Sequence, residues 1–554
     1  MAISRIFDLI YKYITTIRFL KFIQVFYRVK RLFKKPKIKN IKHIDVKNIR
    51  KKSYEWTKVS LRNKSFFEPD KFLLLNHWGT INPDSWTDPK QSHLWQYNQN
   101  YFDDLNSDFD HNDIDAKLNL IDTWINTDKL KNSVGWEPYP TSIRIVNWIK
   151  FHFNHGRLGK IELQSLASQV DWLSQNIEWH ILGNHLLINA KALIFGGLLF
   201  EGKNAENWLQ TGLSILTKEL REQFNFDGMH FEKSFMYHAL LLEDLLDLIN
   251  IFKVYDFKKC RLECELTASK AMGCLEAFCH PDGEIPFFND ATFDVAASKD
   301  SLLKYFHLLN LRTDSQFAKT KHLVNSGYVR SINLSAYLFC DVGDIGPNYI
   351  PSHAHADSLS FELSFFGNRL IVNSGISEYG QGVERLRQRG TGAHSTLRIN
   401  QKNSSDVWGG FRVAKRARTT SCKIQDKGSV VKIEASHDGY RTCLSKTIHK
   451  RAWELGENYM RLNDQVIGKG NKKVEINFHI HPSVFIKEIN KKKFSLEVPS
   501  GEICFFESLS EIDLSIKKST FHPGFNKTVN SHLLQLNCEI NLPASFDFVI
   551  HWDG

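Results

Sequence analysis

The sequence contains no uninterrupted apolar run of the ~18 residues that a membrane-spanning helix needs, so it offers no candidate span. Its nine cysteines (260, 264, 274, 279, 340, 422, 443, 504 and 538) are odd in number and include no CxxC pair, which argues against a disulfide framework or a thiolate zinc site. Proline is scarce, 14 in 554 residues, and collagen-like or low-complexity chains are thereby excluded. A secretory signal pattern is also missing. Arg5, Lys12, Arg18 and Lys21 interrupt every apolar stretch of the N-terminus before a hydrophobic region forms, and no small-residue cleavage site follows.

Aromatic residues are abundant: 13 Trp, 16 Tyr and 40 Phe. Flat side chains of this kind fill cores and also line sugar-binding clefts. The net charge of +11 suggests a polyanion partner until it is located along the chain. Residues 1–52 hold 16 Lys/Arg against Asp8 and Asp45, a net +14, so the other 502 residues carry −3. The body is therefore not basic, and no nucleic-acid partner is expected.

Within the basic segment, Ile3, Ile6, Phe7, Ile10, Ile14 and Ile17 recur at helical spacing with Lys and Arg on other faces. The pattern runs through Phe26 into Arg28, Lys30, Arg31, Lys34, Lys35 and Lys37. Residues 1–37 fit either peripheral contact with an anionic membrane surface or a solvated basic helix packed on the body. The first alternative would place the protein peripherally at the inner membrane, while the second leaves the cytoplasm or periplasm open.

From 53 to 321 the periodicity is helical, as in Leu163–Asn176, Leu182–Leu199, Trp208–Phe224 and Tyr237–Phe252. From 322 to 554 short alternating strands broken by Gly, Asn and Asp take over, with Gly367-Asn368 placed as a two-residue hairpin turn. Helices followed by strands without βαβ alternation predict an α+β chain. It has a basic amphipathic arm (1–52), a helical domain (53–321) and an antiparallel β-domain (322–554).

Four clusters carry polar groups suited to chemistry. Gly183-Asn184-His185 opens an apolar helix, and Asp227–His238 gathers His230, Glu232, Tyr237 and His238 at the start of another. Ser352-His353-Ala354-His355-Ala356-Asp357 would, if extended, set His353, His355 and Asp357 on one face. HxHxD also occurs in metal-dependent hydrolases, but there a second His usually follows the Asp, and here Ser358 does. The fourth cluster runs from Asn373-Ser374-Gly375 through Tyr379, Arg385, Arg387 and Arg389 to Ala393-His394-Ser395.

Taken in order, these motifs resemble the heparinase II/III family of polysaccharide lyases. Trp95-Gln96-Tyr97, Trp136-Glu137-Pro138-Tyr139 with Arg144 and Trp148, and Asp282-Gly283-Glu284-Ile285-Pro286 with Asp290 add to the likeness, which spans roughly 90–400. The resemblance implies an incomplete (α/α) toroid followed by an antiparallel β-sandwich. It also implies β-elimination at a uronic acid of an acidic polysaccharide. That reaction needs a group to hold the carboxylate as charge develops, a base for the C5 proton and an acid for the leaving O4. By resemblance Asn184 binds the carboxylate, and Tyr237 and His353 share the base and acid roles in an order set by the sugar's stereochemistry. His185, His238, Glu232, Arg144, Tyr379, Arg385 and Arg389 are the expected substrate contacts. The resemblance further implies one divalent metal, zinc or similar, at His355 and His394. The expected third ligand, Asp, is Asn373 here, a poorer ligand for a dication. A non-catalytic glycan-binding or assembly protein in surface polysaccharide production is the alternative on the same fold.

Overall fold

Ser234 shows how the helices of this chain begin. Its hydroxyl accepts the Tyr237 N–H at 3.1 Å, satisfying a backbone donor that the first turn leaves open, ahead of a run rich in Leu and Ile. The computed structural model describes residues 2–553 (side chains from residue 6) except 34–47, 68, 82–85, 87, 89, 108–113, 128–133, 314–317 and 443–444. Its main helices are α1 (Ala2–Ile17), α2 (Phe22–Phe33), α3 (His93–Gln99), α4 (Ile114–Asn126), α5 (Pro138–His155), α6 (Lys160–Gln175), α7 (Asn184–Leu199), α8 (Lys203–Gln223), α9 (Phe235–Val254), α10 (Lys258–Phe278) and α11 (Lys299–Leu308). Joints of three or four residues make α5/α6, α7/α8 and α9/α10 packed neighbours. Every residue of α7 except His185 is buried, so α7 is an inner stave of this layer.

One departure from the helical pattern lies near its start. Phe66–Phe67, Lys71–Leu74 and His77–Thr80 form a small antiparallel sheet, turned by Leu75 (φ 52°) and Asn76 (φ 59°). The side chains of Lys71–Leu74 alternate between exposed and buried, a period-two pattern too short to stand out against the helices that follow.

Past α11 strands dominate, interrupted by the irregular stretch 342–360 and by 373–396, which holds a short helix (Val383–Gln388). Thr320–Leu323, Tyr328–Ile332, Ala336–Asp341, Phe361–Phe365 and Asn368–Val372 pair in sequence order, all antiparallel. The hairpin turn falls one residue earlier than expected: Phe365 pairs with Asn368, and Phe366 (φ 43°) and Gly367 (φ 80°) make the turn. Two long strands, Tyr459–Ile480 and Lys527–His551, pair along most of their length with a shift between Val466 and Gly470. They change neighbours from end to end. Residues 460–467 pair with Ile448–Leu455, whereas His479 and Ile480 join Asn368–Val372. The sandwich has its own apolar core, while Leu323, Tyr328, Phe339, Val372, Phe521 and Phe525 belong to the core of the helices. The two layers are thus fused through shared apolar packing.

The basic segment does not stand apart. Arg50 N–H donates to the Leu199 carbonyl, Gln24 reaches the Ile181 carbonyl at 3.1 Å, and Trp408 of the β-domain donates to Thr16. Lys34, Lys35 and Lys37 lie outside the described residues.

Candidate active site

A cavity of about 510 Å³ opens between the helices and the sheet. On the helical side it is lined by Tyr139, Asn184, His185 and Tyr237, and on the β side by His353, Tyr379 and Phe411. All four of these helical residues sit in first turns: Tyr139 in α5, Asn184 and His185 in α7 and Tyr237 in α9. Gly183 (φ 60°) makes the entry to α7 possible, since a Cβ there would lie 2.8 Å from Glu232 Oε1 and 3.0 Å from Ile350.

The structure brings Asn184, Glu232, His353, Tyr237 and Tyr379 together. Asn184 donates its backbone N–H (3.1 Å) and its amide (3.0 Å) to Glu232 Oε1, and Glu232 Oε2 lies 3.4 Å from His353 Nε2. His353 stacks on Tyr237 with ring centroids 3.8 Å apart, and the Tyr237 and Tyr379 hydroxyls are 3.2 Å apart. Burial, reinforced by Tyr379, pushes the Tyr237 hydroxyl well above its ordinary pKa, so it keeps its proton at neutral pH. His185 packs against Tyr139 and bonds Glu178 through Nδ1 at 3.1 Å. Although burial lowers its proton affinity, Glu178 reverses the balance and raises it.

Asp290 organises the β side. Fully buried, it accepts bonds from both terminal nitrogens of Arg385, from His353 Nδ1 (2.9 Å) and from His355 Nε2 (2.8 Å). Burial opposes its ionisation, yet Arg385 and the two imidazoles hold the carboxyl well below the usual range. A proton fixed on His353 Nδ1 by this carboxylate leaves Nε2 as the basic nitrogen beside Glu232 and Asn184. Lys233 (φ 61°) and Asn289 (φ 58°), next to Glu232 and Asp290, sit in the left-handed region that bulky residues avoid, a strain that clusters at functional sites.

Four expected substrate contacts lie elsewhere. Arg144 is completely buried, donating to Gln169 at 2.8 Å with its guanidinium 4.0 Å from the Trp124 ring centre. His238 is also buried, bonded to the His230 N–H and the Ala271 carbonyl, and burial lowers its pKa to about 4. Arg385 is spent on Asp290, and Arg389 on the carbonyls of Ala354 and Gly410. In each case a planar or cationic side chain found partners inside the fold, where its charge is satisfied without a ligand. Arg387, the remaining loop arginine, pairs with Glu384 at the surface.

The family description "Heparinase II/III N-terminus" matches residues 18–317, and "Heparinase II/III-like, C-terminal" matches 316–546. The chain belongs to the heparinase II/III family. It is 24% identical to the heparin-sulfate lyase of Pedobacter heparinus over 387 residues, 62% of this chain and 56% of that protein. To the heparin-sulfate lyase of Bacteroides stercoris it is 25% identical over 398 residues, 67% and 56%. The chain therefore spans little more than half the length of the relatives it matches. A crystal structure of heparinase III superposes with a TM-score of 0.67 at 18% identity, covering 85% of this chain and 79% of that one. The chondroitin AC lyase of Streptomyces coelicolor gives 0.51 at 8% identity, covering 86% and 77%. The heparinase II/III fold, toroid followed by β-sandwich, is thus that of this chain.

The implied metal can be set against the side chains present. His394 Nε2 and His355 Nδ1 face each other at 3.2 Å, a spacing at which two imidazoles fit a shared cation or a direct N–H···N bond. The third position fits poorly. Asn373 Oδ1 accepts the Ser395 N–H at 3.1 Å, its Nδ2 is buried without a partner, and the amide brings no negative charge. Among the described residues no three His, Cys, Asp or Glu side chains form a metal-holding group.

Three contributors escaped the sequence reading. Asp290 stood in a quoted motif with no role assigned, and its acidity gained meaning only from Arg385, 95 positions away. Tyr139 lies in a motif whose sequence alone points to no role. Phe411, whose ring packs on Tyr379 at 5.3 Å, carried no local signal.

Proposed function

We propose that this heparinase II/III chain is a lyase that cleaves a uronate-containing polysaccharide by β-elimination. The observation that carries it is the stacked Tyr237–His353 pair beside Asn184 at the cavity wall. His353 Nε2 takes the C5 proton, and the electrons of that bond form the C4=C5 double bond as the C4–O4 bond breaks. Tyr237, kept protonated by its surroundings, gives its proton to O4, and the adjacent Tyr379 hydroxyl offers the route for its return. The Asn184 amide meets the carboxylate as enolate character develops. No water is consumed.

The cleft also speaks to substrate class. Arg62 is paired with Glu243 (2.7 Å), Lys150 with Asp247 (3.1 Å) and Lys191 with Asp244 and Asp247 (2.7 Å each), so each Lys and Arg lining the described cavity has an acidic partner. With aromatic and neutral donors between them, this lining suits a polymer whose anions are uronates rather than a densely sulfated one. Bacterial surface polysaccharides of that composition are the substrate class we propose.

Incubation with such polymers should generate an unsaturated uronyl end that absorbs in the ultraviolet. Tyr237→Phe and His353→Ala should each suppress it by roughly 10²–10⁴-fold with thermal unfolding little changed. Full activity in either variant would remove that residue from the chemistry. Polymer binding by the wild type without any absorbance would support the glycan-binding alternative instead.

A further inference from the structure

Helices α1 and α2 are turned the wrong way for ordinary packing. An amphipathic helix on a protein surface buries its apolar stripe and shows its polar face to water. Here most contacts with the body come from polar side chains, with Tyr13, Ile23 and Tyr27 packing beside them. Gln24 is 1% exposed and bonds the carbonyls of Ile181 and Tyr349, Thr16 accepts from the Trp408 indole, Lys21 pairs with Glu222 at 2.6 Å, and Arg28 and Arg31 reach His180. The apolar residues face outward: Ile6, Phe7, Ile14, Phe22, Leu32 and Phe33 are each between 58% and 85% exposed. An apolar surface of this extent on two adjacent helices calls for an apolar occupant.

We infer that α1 and α2 seat the protein on an anionic lipid surface, lying in its plane with the wall of the cleft held beside it. Charge selects this occupant over a second copy of the chain. Arg18, Arg28, Lys30 and Arg31 are exposed on these helices, and apposing two copies would bring their like charges together, whereas anionic headgroups would neutralise them. Among the described residues no helix is long and apolar enough to cross a membrane, which leaves the in-plane arrangement. The position relative to the cleft follows from the contacts. α2 is bonded to Ile181, which lines the cavity, and Tyr13 of α1 packs on Trp408, three residues before the cavity residue Phe411. If the proposed chemistry holds, the seat would favour polymer presented at a membrane over polymer free in solution.

The test is flotation of the purified full chain with phosphatidylcholine vesicles, with and without phosphatidylglycerol, and no substrate present. The wild type should float with the anionic vesicles, less so in high salt, and stay behind with the neutral ones. Phe7→Glu, Ile14→Glu and Leu32→Glu combined should lower the bound fraction more than about tenfold, since three charges are placed on the inserted face. Arg18→Ala with Lys30→Ala should remove the preference for anionic lipid, and this pair keeps the test open if the triple variant does not fold. Equal flotation of the triple variant, or no flotation of the wild type, would overturn the inference. So would a wild-type dimer that the triple variant splits while neither floats. Because no substrate enters the assay, its failure and a failure of the lyase reading are separable.

Discussion

The two walls of the cleft hold their side chains by different means. The helical wall uses first turns: Tyr139, Asn184 and Tyr237 project from the regular backbone at the starts of α5, α7 and α9, the last capped by Ser234. The β wall has no such support, because His353 and Tyr379 sit on irregular segments. It relies on buried charge, with Asp290 gathering Arg385, His353 and His355. Local geometry positions one wall and long-range electrostatics the other, so the β wall should be the more fragile of the two.

The sharpest way to break that comparison is Asp290→Asn. It keeps the volume but leaves Arg385 buried without its counter-charge, and breaking a buried pair in this way costs roughly 3–5 kcal/mol. We expect a large drop in unfolding temperature together with loss of the proposed lyase activity, because His353 loses the acceptor that orients it. Unfolding at the wild-type temperature would show that the β wall does not depend on this charge.

A second buried charge extends the same logic into the sandwich. Arg451 donates to Asp464 Oδ2 and, from another nitrogen, to the carbonyls of Leu359 and Ser395, tying the sandwich to both loops of the β wall. Burial raises the Asp464 pKa, but Arg451 and His449 outweigh it and bring it down to about 2. A folded value below the unfolded one means that the contribution, about 2 kcal/mol, is present above pH ~4 and lost as pH falls towards 2. Denaturant titrations between pH 5 and 2 should show this loss in the wild type. In Asp464→Asn the loss should be smaller, from a lower starting stability.

The difference between the walls also explains what the sequence disclosed. Asn184, Tyr237 and His353 stood out because each lies in a short run of polar residues at the edge of an apolar segment, and the order of the runs carried the family likeness. The helical and strand halves were legible from periodicity, which is a local property. The arginines were not. Whether a guanidinium meets a substrate or an internal acceptor depends on residues distant in sequence: Gln169 and Trp124 for Arg144, Asp290 for Arg385 and Gly410 for Arg389. The inverted faces of α1 and α2 were hidden for the same reason, since a helical repeat does not say which stripe turns inward.

A pair of substitutions in the helical layer, one away from the cleft and one on its wall, separates packing from recognition. Arg144→Met should lower stability by about 1–3 kcal/mol with KM unchanged, because the bond to Gln169 and the contact with Trp124 are internal. His185→Ala should do the reverse, raising KM several-fold with little change in unfolding temperature, because His185 alone in α7 stays partly exposed and faces the cavity. Equal effects on KM would return Arg144 to the substrate site.

The smallest expected effect concerns the implied metal. His355 and His394 present two nitrogens 3.2 Å apart, but the amide of Asn373 adds no charge to offset a dication, and its oxygen is already bonded to Ser395. Any ion held by the wild type should therefore be substoichiometric and removable by a chelator. Asn373→Asp supplies the missing carboxylate at nearly unchanged volume, so it should raise metal content in elemental analysis. Binding energy gained only by the folded state adds to folding energy, and the unfolding temperature of this variant should rise with added zinc and return to its metal-free value with chelator. Without an ion the exchange puts a carboxyl oxygen where the buried Nδ2 of Asn373 has no partner, so the metal-free variant should unfold at or below the wild-type temperature. Stoichiometric, chelator-resistant metal in the wild type would show that an amide suffices at this position. Absence of metal from both proteins would leave the His355–His394 hydrogen bond as the link that joins the two loops of the β wall.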